Sequence, residues 1–243
     1  MKVEVIVPAA GFGLRMGAKV PKPLINIGRQ PILIHTLRAL AKNKHVQRII
    51  VAVNKENKRG FEKSLKRFHV DKSVELAEGG LTRGDSVANC LKRLRGDTDI
   101  VVVHDAVRPF VAARIIEKVI QEAKKSGAAI IGVPLKPTIK EVNSQREVVS
   151  TLPREKLWEA QTPQAFKKEI LLKAYDKFVN ARVTDDASLV EKLGVKVKVV
   201  EGSYFNIKIT TPEDLVLGEA ILKSLRVVGT AQCAVPTKIG NVA

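Results

Sequence analysis

Short runs of β-branched and other apolar residues alternate along this chain with segments whose apolar positions recur every three to four residues. The short runs are long enough for buried strands and too short for helices. They predict five strands, at Val3–Val7, Arg48–Val53, Ile100–His104, Ala128–Val133 and Val195–Val200.

The segments between these runs predict amphipathic helices, because their apolar side chains fall on one face at a spacing of about 3.6 residues. Six such helices are expected, at Pro31–Lys42, Thr82–Leu94, Ala112–Lys125, Lys167–Phe178, Asp186–Leu193 and Pro212–Leu225. Strands that are apolar on both faces and alternate with helices predict an α/β fold with a mostly parallel sheet covered on each side. Ligands bind such sheets at the carboxyl ends of the strands.

One segment departs from this alternation. Residues Thr138–Val142 and Glu147–Thr151 form two short extended runs around a polar turn, which predicts a β-hairpin. A lone hairpin is marginally stable in water, so we expect an arm at about residues 136–155 that packs on a second subunit. Residues 1–225, including this arm, are expected to form a single domain. Residues 226–243 have no clear periodicity, and we expect a weakly ordered tail.

The composition excludes several classes of protein. The chain has 243 residues, of which 45% are hydrophobic, 28% charged and 4% aromatic, as is typical of a globular protein. No apolar run approaches the roughly 20 residues that a membrane helix needs. Cys90 and Cys233 are too few for a disulfide framework or a thiolate metal site. With no targeting segment ahead of the first strand, we expect a cytoplasmic protein without a membrane partner.

The formal net charge of +17 raises the alternative of nucleic-acid binding. The lysines, however, follow amphipathic patterns, as in Lys63–Phe68 and Lys167–Lys173, which predict solvated helix faces. No helix-turn-helix, zinc-finger or aromatic RNA-binding motif is present, so we expect no nucleic-acid partner. A basic field of this kind would instead steer small anionic phosphates inward.

The first strand is followed by a loop of very small residues. Backbone N–H groups in such a loop can close on an anion, and Arg15 and Lys22 add two positive charges nearby. Met16 stands where the dinucleotide fingerprint requires its third glycine, and no Walker A run occurs, so neither common phosphate loop fits. The pattern therefore indicates a different polyphosphate site. Its small residues are Ala9, Ala10, Gly11 and Gly13.

A second glycine-rich turn, Gly79–Val87, opens a predicted helix. Its two glycines, Gly79 and Gly80, allow the backbone to approach a flat base closely, and the Ser86 hydroxyl can hydrogen-bond the edge of a base. By itself, the turn is equally typical of an ordinary helix start.

Two charged residues are candidates for chemistry on phosphates. Asp105 follows a buried strand, where a carboxylate beside a polyphosphate loop is a natural Mg²⁺ ligand. The alternative is an Asp that ends the strand and caps a turn. Lys208 alternates with Ile207 and Ile209, so it faces the other side of its extended segment, and an ordinary solvent-facing lysine is the alternative. We interpret His104 as a packed strand residue.

Eight segments together resemble one family. They span about Val3 to Leu225, and in order they are PAAGFGLRMG, VPKP, GGLTRGDSV, VHDAVRP, TIKEV, LPREKLWEAQTPQAF, TDDAS and NIKITTPEDL. The series resembles the 2-C-methyl-D-erythritol 4-phosphate cytidylyltransferases of non-mevalonate isoprenoid synthesis. The resemblance implies a Rossmann-like domain with a protruding arm, a homodimer, CTP and a polyol phosphate as substrates, and Mg²⁺ as the metal.

The resemblance also implies roles for individual residues. Arg15, Lys22, Asp105 and Lys208 would be catalytic, with Asp105 holding the metal. The nucleotide would contact the two glycine-rich loops through Ala9, Ala10, Gly11, Gly13, Gly79, Gly80, Arg83 and Ser86. The polyol phosphate would contact Arg108, Thr138, Thr162 and, from the second subunit, Arg154.

Two departures from the family pattern leave alternatives open. The family commonly has Lys-Gln where this chain has Lys22-Pro23. Phe205 stands where some members carry an Asp that could assist the metal, with Asp185 and Asp186 as possible substitutes. The nearest alternative is ribitol 5-phosphate cytidylyltransferase, which shares HDAVRP and NIK, but Pro8–Gly11 favours the isoprenoid family.

Overall fold

The computed structural model of this chain describes residues 1–11, 20–178 and 184–227. Its central feature is a seven-stranded sheet with the strand order β11-β7-β10-β6-β1-β4-β5. The strands of this sheet are β1 (Val3–Pro8), β4 (Val46–Val53), β5 (Ser73–Glu78), β6 (Ile100–Val103), β7 (Ala128–Pro134), β10 (Trp158–Lys167) and β11 (Lys198–Glu201). The short strands β2 (Asn26–Ile27) and β3 (Gln30–Pro31) form a separate pair.

Seven α-helices occur in the described residues, besides three short 3₁₀ helices at Lys22–Leu24, Lys55–Asn57 and Arg154–Lys156. The α-helices are α1 (Ile32–Ala41), α2 (Lys58–Arg67), α3 (Arg83–Leu91), α4 (Ala113–Ser126), α5 (Lys168–Lys177), α6 (Ala187–Lys192) and α7 (Pro212–Val227). All six predicted helices are among them, and α2 is the additional one. In the described part of the chain, none of them is long and apolar enough to cross a membrane.

The alternation of side chains along β1 separates two layers of core. Val3, Val5 and Val7 are buried in a cluster with residues of α1, α2 and α4, whereas Ile6 is buried with residues of α3, α5 and α6. Successive strand side chains point to opposite faces of a sheet, so helices cover both of its faces. This confirms the predicted α/β layering.

The five predicted strands are all present, although the last begins at Lys198 rather than Val195. Most neighbouring pairs in the sheet are parallel, as predicted. Two further strands of this sheet were not predicted. The strand β5 lies half-buried at the edge of the sheet, and its glutamates interrupt the run of apolar residues that would predict a buried strand. The strand β10 is antiparallel to both β6 and β7, and its register shifts between Gln161 and Gln164.

The predicted hairpin is also present, as β8 (Ile139–Val142) paired antiparallel with β9 (Val148–Leu152) in a sheet of its own. Its apolar side chains are exposed in the single chain, namely Val142, Val148, Val149 and Leu152. We call residues 139–152 the arm.

The domain boundary remains a prediction. Helix α7 extends to Val227, two residues beyond the predicted end of the domain, and residues 228–243 lie outside the described residues.

Candidate functional site

A cleft of about 880 Å³ lies at the carboxyl ends of β1, β4, β5 and β6, where the sequence predicted a ligand site. Both glycine-rich loops line it, together with charged side chains and several apolar or neutral residues. The predicted site residues among its lining are Ala9, Ala10, Gly11, Lys22, Gly79, Gly80, Arg83, Ser86, Asp105 and Lys208. The predicted site residues Gly13 and Arg15 lie outside the described residues.

The first loop continues the line of β1. The N–H of Ala9 donates to the carbonyl of Ala52 at 2.8 Å, so the backbone stays bonded to β4 until the loop begins. A Cβ added to Gly11 would meet no atom within 4 Å among the described residues. Residues 9–11 therefore present backbone, with very little side chain, to the cleft.

The second loop packs directly against the first. A Cβ added to Gly79 would lie 2.3 Å from the Cβ of Ala10, far inside contact distance. The Ser86 hydroxyl accepts from the Gly80 N–H at 3.1 Å and donates to the Thr82 carbonyl at 3.0 Å. Ser86 thus shapes the loop from within, and the predicted contact of its hydroxyl with a base stays a prediction.

Asp105 lies among three cations at the floor of the cleft. One carboxylate oxygen, Oδ2, is 3.1 Å from Lys208 Nζ and 3.1 Å from Arg108 Nε, and Oδ1 is 3.8 Å from Arg83 Nε. The carboxylate is only 7% exposed. Burial alone would raise its pKa, but Lys208, Arg83 and Arg108 outweigh burial and lower the pKa of Asp105 to about 2.

Lys208 is 42% exposed along its side chain, so it can reach both Asp105 and the cleft. It lies on the side of its segment opposite to Ile209, which is fully buried, as its alternation in the sequence predicted. The structure therefore favours the charged-site interpretation of Lys208 over the surface alternative. The same contacts favour a charged-site role for Asp105 over a simple turn cap.

Arg83 is held by Asp186, which the sequence suggested only as a possible metal ligand, and Asp186 is in turn held by Tyr175, which the sequence did not assign to the site. Its Nη2 donates to Asp186 Oδ2 at 2.7 Å, and the Tyr175 hydroxyl donates to Asp186 Oδ1 at 2.5 Å. Burial would lower the pKa of Arg83, but Asp186 reverses that effect and raises it. Tyr175 is an ordinary buried position of α5, so its pattern carries no signal of this role.

Hydrogen bonds also engage Asp185 and Asp186, the suggested substitutes for a second metal ligand. Asp186 is fully buried and has both carboxylate oxygens occupied by Arg83 and Tyr175. Asp185 accepts from Gln164 Nε2 at 2.7 Å and from the Ser188 N–H at 3.1 Å. Both carboxylates are engaged by neighbouring groups, and a role of either as a second metal ligand stays a prediction.

The remaining predicted residues fall into two groups. Lys22 is 8% exposed and donates to the Thr210 carbonyl at 3.1 Å, and Thr162 accepts from the Asp105 N–H at 3.0 Å. Lys22 lines the cleft, whereas Thr162 and Arg108 lie beside it in contact with Asp105. Thr138 precedes the arm and Arg154 follows it, and neither lines the cleft of the single chain.

The residues present fit a magnesium ion as a site with one protein ligand. No cluster of three or more acidic, histidine or cysteine side chains exists in the described ranges. Mg²⁺ in nucleotide sites takes one or two carboxylates and completes its shell with phosphate oxygens and water. Asp105, ionised at neutral pH and lying in the cleft wall, meets that requirement.

Comparison with known proteins identifies the family. A family model described as 2-C-methyl-D-erythritol 4-phosphate cytidylyltransferase matches residues 3–224. The chain belongs to this family. A relative of that name from Bacillus mycoides (strain KBAB4) is 48% identical over 219 residues, which are 89% of this chain and 96% of that protein.

Solved structures of cytidylyltransferases agree with this assignment. The 4-diphosphocytidyl-2C-methyl-D-erythritol synthase from Anaerococcus prevotii superposes with a TM-score of 0.80 at 34% identity, covering 91% of this chain and 96% of that one. The cytidylyltransferase from Thermus thermophilus gives a TM-score of 0.74 at 32% identity, covering 92% and 100%. The Rossmann-like nucleotidyltransferase fold implied by the sequence motifs is thereby confirmed.

The close approach of the two loops predicts a specific effect on nucleotide binding. Gly79→Ala adds a methyl group that collides with Ala10, so the loops should separate and the KM for CTP should rise at least tenfold, about 1.4 kcal/mol of binding. Gly84→Ala is the matched control, because its Cβ would lie 3.6 Å from Thr82 Oγ1, an ordinary contact. Steady-state kinetics of both folded variants measure the difference, and an unchanged KM in Gly79→Ala would contradict the role of this contact.

Proposed function

We propose that this cleft is where the chain performs the reaction of its family, the transfer of CMP from CTP to 2-C-methyl-D-erythritol 4-phosphate with release of pyrophosphate. The observation that carries this assignment is the cluster of Lys208, Arg108 and Arg83 around the buried Asp105, in the cleft that the two glycine-rich loops also line. Such a cluster is suited to charge on phosphates rather than to covalent catalysis.

The reaction needs the protein to neutralise negative charge on the phosphates more than it needs a nucleophile from the protein. A phosphate oxygen of the acceptor attacks the α-phosphorus of CTP in line, and the bond to the β-phosphate oxygen breaks as pyrophosphate leaves. Two anionic groups must approach each other, so preorganised cations lower the barrier. Lys208 and Lys22 line the cleft and can supply this charge. Arg15, by its place in the motif, is proposed to act with them on the triphosphate.

Asp105 is proposed to hold Mg²⁺ through its carboxylate. When bound, the ion neutralises charge on the phosphate oxygens that it contacts. Lys208 and Arg108, both 3.1 Å from the same carboxylate oxygen, keep Asp105 ionised and fixed in place. Since Lys208 is partly exposed, it can exchange this contact for one with a substrate phosphate.

The alternatives gain no support from these observations. The matched family and the relatives carry the name of the methylerythritol enzyme, and nothing among them indicates ribitol 5-phosphate or a nucleic acid as the substrate. The lysines of Lys63–Phe68 and Lys167–Lys173 lie on or beside α2 and α5, as amphipathic helix faces should. We propose a cytoplasmic location, consistent with Cys90, a buried thiol whose pKa burial raises to about 12.

Substitutions of Lys22 and Asp105 test the assignment. Lys22→Ala and Asp105→Asn should each lower kcat by about 10²–10³, the usual effect of losing one preorganised charge contact. Lys66→Ala, on the outer surface of α2, is the control and should retain activity. Pyrophosphate release from CTP with methylerythritol phosphate and Mg²⁺ is the measurement, with ribitol 5-phosphate as the comparison substrate. A folded variant with normal kcat would refute that residue's role, and faster turnover of ribitol 5-phosphate would refute the substrate.

We also propose that the chain forms a homodimer through the arm. The apolar residues Val142, Val148, Val149 and Leu152 are exposed on a hairpin that has no sheet partner among the described residues of its own chain. Packing against the same arm of a two-fold partner would cover them. Arg154 lies just beyond the arm, where its Nη1 donates to the Lys136 carbonyl at 2.7 Å, and in the dimer it would reach the neighbouring substrate pocket.

Mixed dimers test this composite site. Because a two-fold interface makes the exchange reciprocal, Arg154→Ala would impair the neighbouring site, and Lys22→Ala would impair its own. Each variant alone should be nearly inactive. A mixed dimer contains one site with both an intact Lys22 and an intact Arg154, so activity should return to a fraction of the wild-type value. If mixed dimers form, as separate affinity tags would report, and no activity returns, Arg154 does not act across the interface.

A further inference from the structure

Every backbone carbonyl in the turn from Asp105 to Arg108 accepts a hydrogen bond. Two of the four donors are backbone N–H groups, and the other two come from buried side chains on α1 and at the end of β6. The carbonyls of residues 105 to 108 accept, in that order, from the Arg108 N–H (3.2 Å), the Thr36 hydroxyl (3.0 Å), the Ile209 N–H (2.9 Å) and His104 Nε2 (3.0 Å). The segment that carries both Asp105 and Arg108 is therefore fully specified by hydrogen bonds.

His104 is the side chain that joins this turn to β10. It is fully buried, its Nε2 contacts the Arg108 carbonyl at 3.0 Å, and its Nδ1 contacts Thr162 Oγ1 at 3.1 Å. Neither nitrogen contacts a carboxylate, and the two partners suit a neutral ring with one N–H donor and one acceptor nitrogen.

Its tautomer follows from these partners. A carbonyl can only accept, so the proton of the neutral ring lies on Nε2, and Nδ1 is an acceptor. Thr162 must then donate its hydroxyl proton to Nδ1. The same hydroxyl oxygen accepts from the Asp105 N–H at 3.0 Å. The chain of donors runs from Asp105 to Thr162, from Thr162 to His104, and from His104 to Arg108.

We propose that His104 is a positioning residue for cytidylyl transfer, which fixes the backbone on both sides of the Asp105–Arg108 turn through Thr162 and the Arg108 carbonyl. Without it, the Arg108 carbonyl loses its donor and the Thr162 proton loses its acceptor. The Asp105 carboxylate and the Arg108 guanidinium, which meet at 3.1 Å, would then lose their fixed separation. This inference rests on the proposed function, because it concerns the placement of Asp105.

The alternative is a histidine that only stabilises the core. The core-stabilising role and the positioning role are distinguishable. A core-stabilising role depends on the shape of the side chain, whereas the positioning role depends on one hydrogen-bond acceptor and one donor. The nucleotide loops do not contact His104 by any of these bonds, so a positioning defect should appear in kcat and leave the KM for CTP largely unchanged.

The kinetic test compares two substitutions at this position. His104→Phe keeps a ring but removes both polar atoms, and kcat should fall about 10- to 100-fold, the usual effect of losing an outer-shell partner. His104→Gln retains an amide acceptor and donor and should recover at least part of that loss. In both variants the KM for CTP should change less than about threefold, since a factor of three is well under 1.4 kcal/mol of binding. Equal activity in the two variants, or a normal kcat in His104→Phe, would overturn the proposal.

Thr36→Val provides the matched control. It removes a donor to the Ala106 carbonyl of the same turn, yet Thr36 contacts neither Thr162 nor Arg108 by these bonds. Its stability loss in denaturant unfolding should be similar to that of His104→Phe, while its kcat should fall much less. Similar losses of kcat in the two variants would mean that any weakening of the turn suffices, which would overturn the specific role of His104.

Nitrogen NMR of the imidazole gives a test that needs no activity. In the whole chain at pH 7, the shifts of His104 should show a protonated Nε2 and an unprotonated Nδ1. Thr162→Val should shift the Nδ1 resonance and leave the Nε2 proton in place. An Nδ1–H tautomer or a charged ring would overturn the hydrogen-bond chain even if Asp105 proves essential. If His104→Phe fails to fold, His104→Gln and this spectrum decide the question.

Discussion

The buried carboxylate of Asp105 is the constraint on which the rest of the site depends. A carboxylate that is 7% exposed is costly unless cations and hydrogen bonds compensate it. Arg108 comes from the same turn as Asp105, whereas Arg83 at the start of α3 and Lys208 before α7 come from distant parts of the chain. Placing one charge therefore brings together segments that are distant in sequence.

The sheet makes this convergence possible. The parallel strands β1, β4, β5 and β6 end at one edge, and each releases a loop into the same cleft. The antiparallel β10 contributes in a different way, since Thr162 lies in its irregular region and bonds back to the Asp105 N–H. The sheet thus brings the loops close together, and hydrogen bonds from buried polar side chains fix their positions.

The sequence predicted the parts of this arrangement that local pattern controls. β-branched runs located β1, β4, β6 and β7, and the motifs located both glycine loops, Asp105 and Lys208. It did not predict β10, whose direction is set by its neighbours, or the hold of Tyr175 and Asp186 on Arg83. These contacts join positions far apart in the chain, and a buried tyrosine in an amphipathic helix has the same pattern whether or not it has a polar partner.

Three cations keep Asp105 ionised within the cleft, and a carbon NMR titration of its carboxyl group tests their effect. The folded pKa of about 2 lies below the ordinary value near 3.9, so the ionised carboxylate stabilises the fold above about pH 4, and this contribution is lost as the pH falls toward 2. Asp105 should still be ionised at about pH 3, between these two values, and Lys208→Ala should raise its pKa. A wild-type pKa at or above the ordinary value, unaffected by Lys208→Ala, would contradict this effect of the cations.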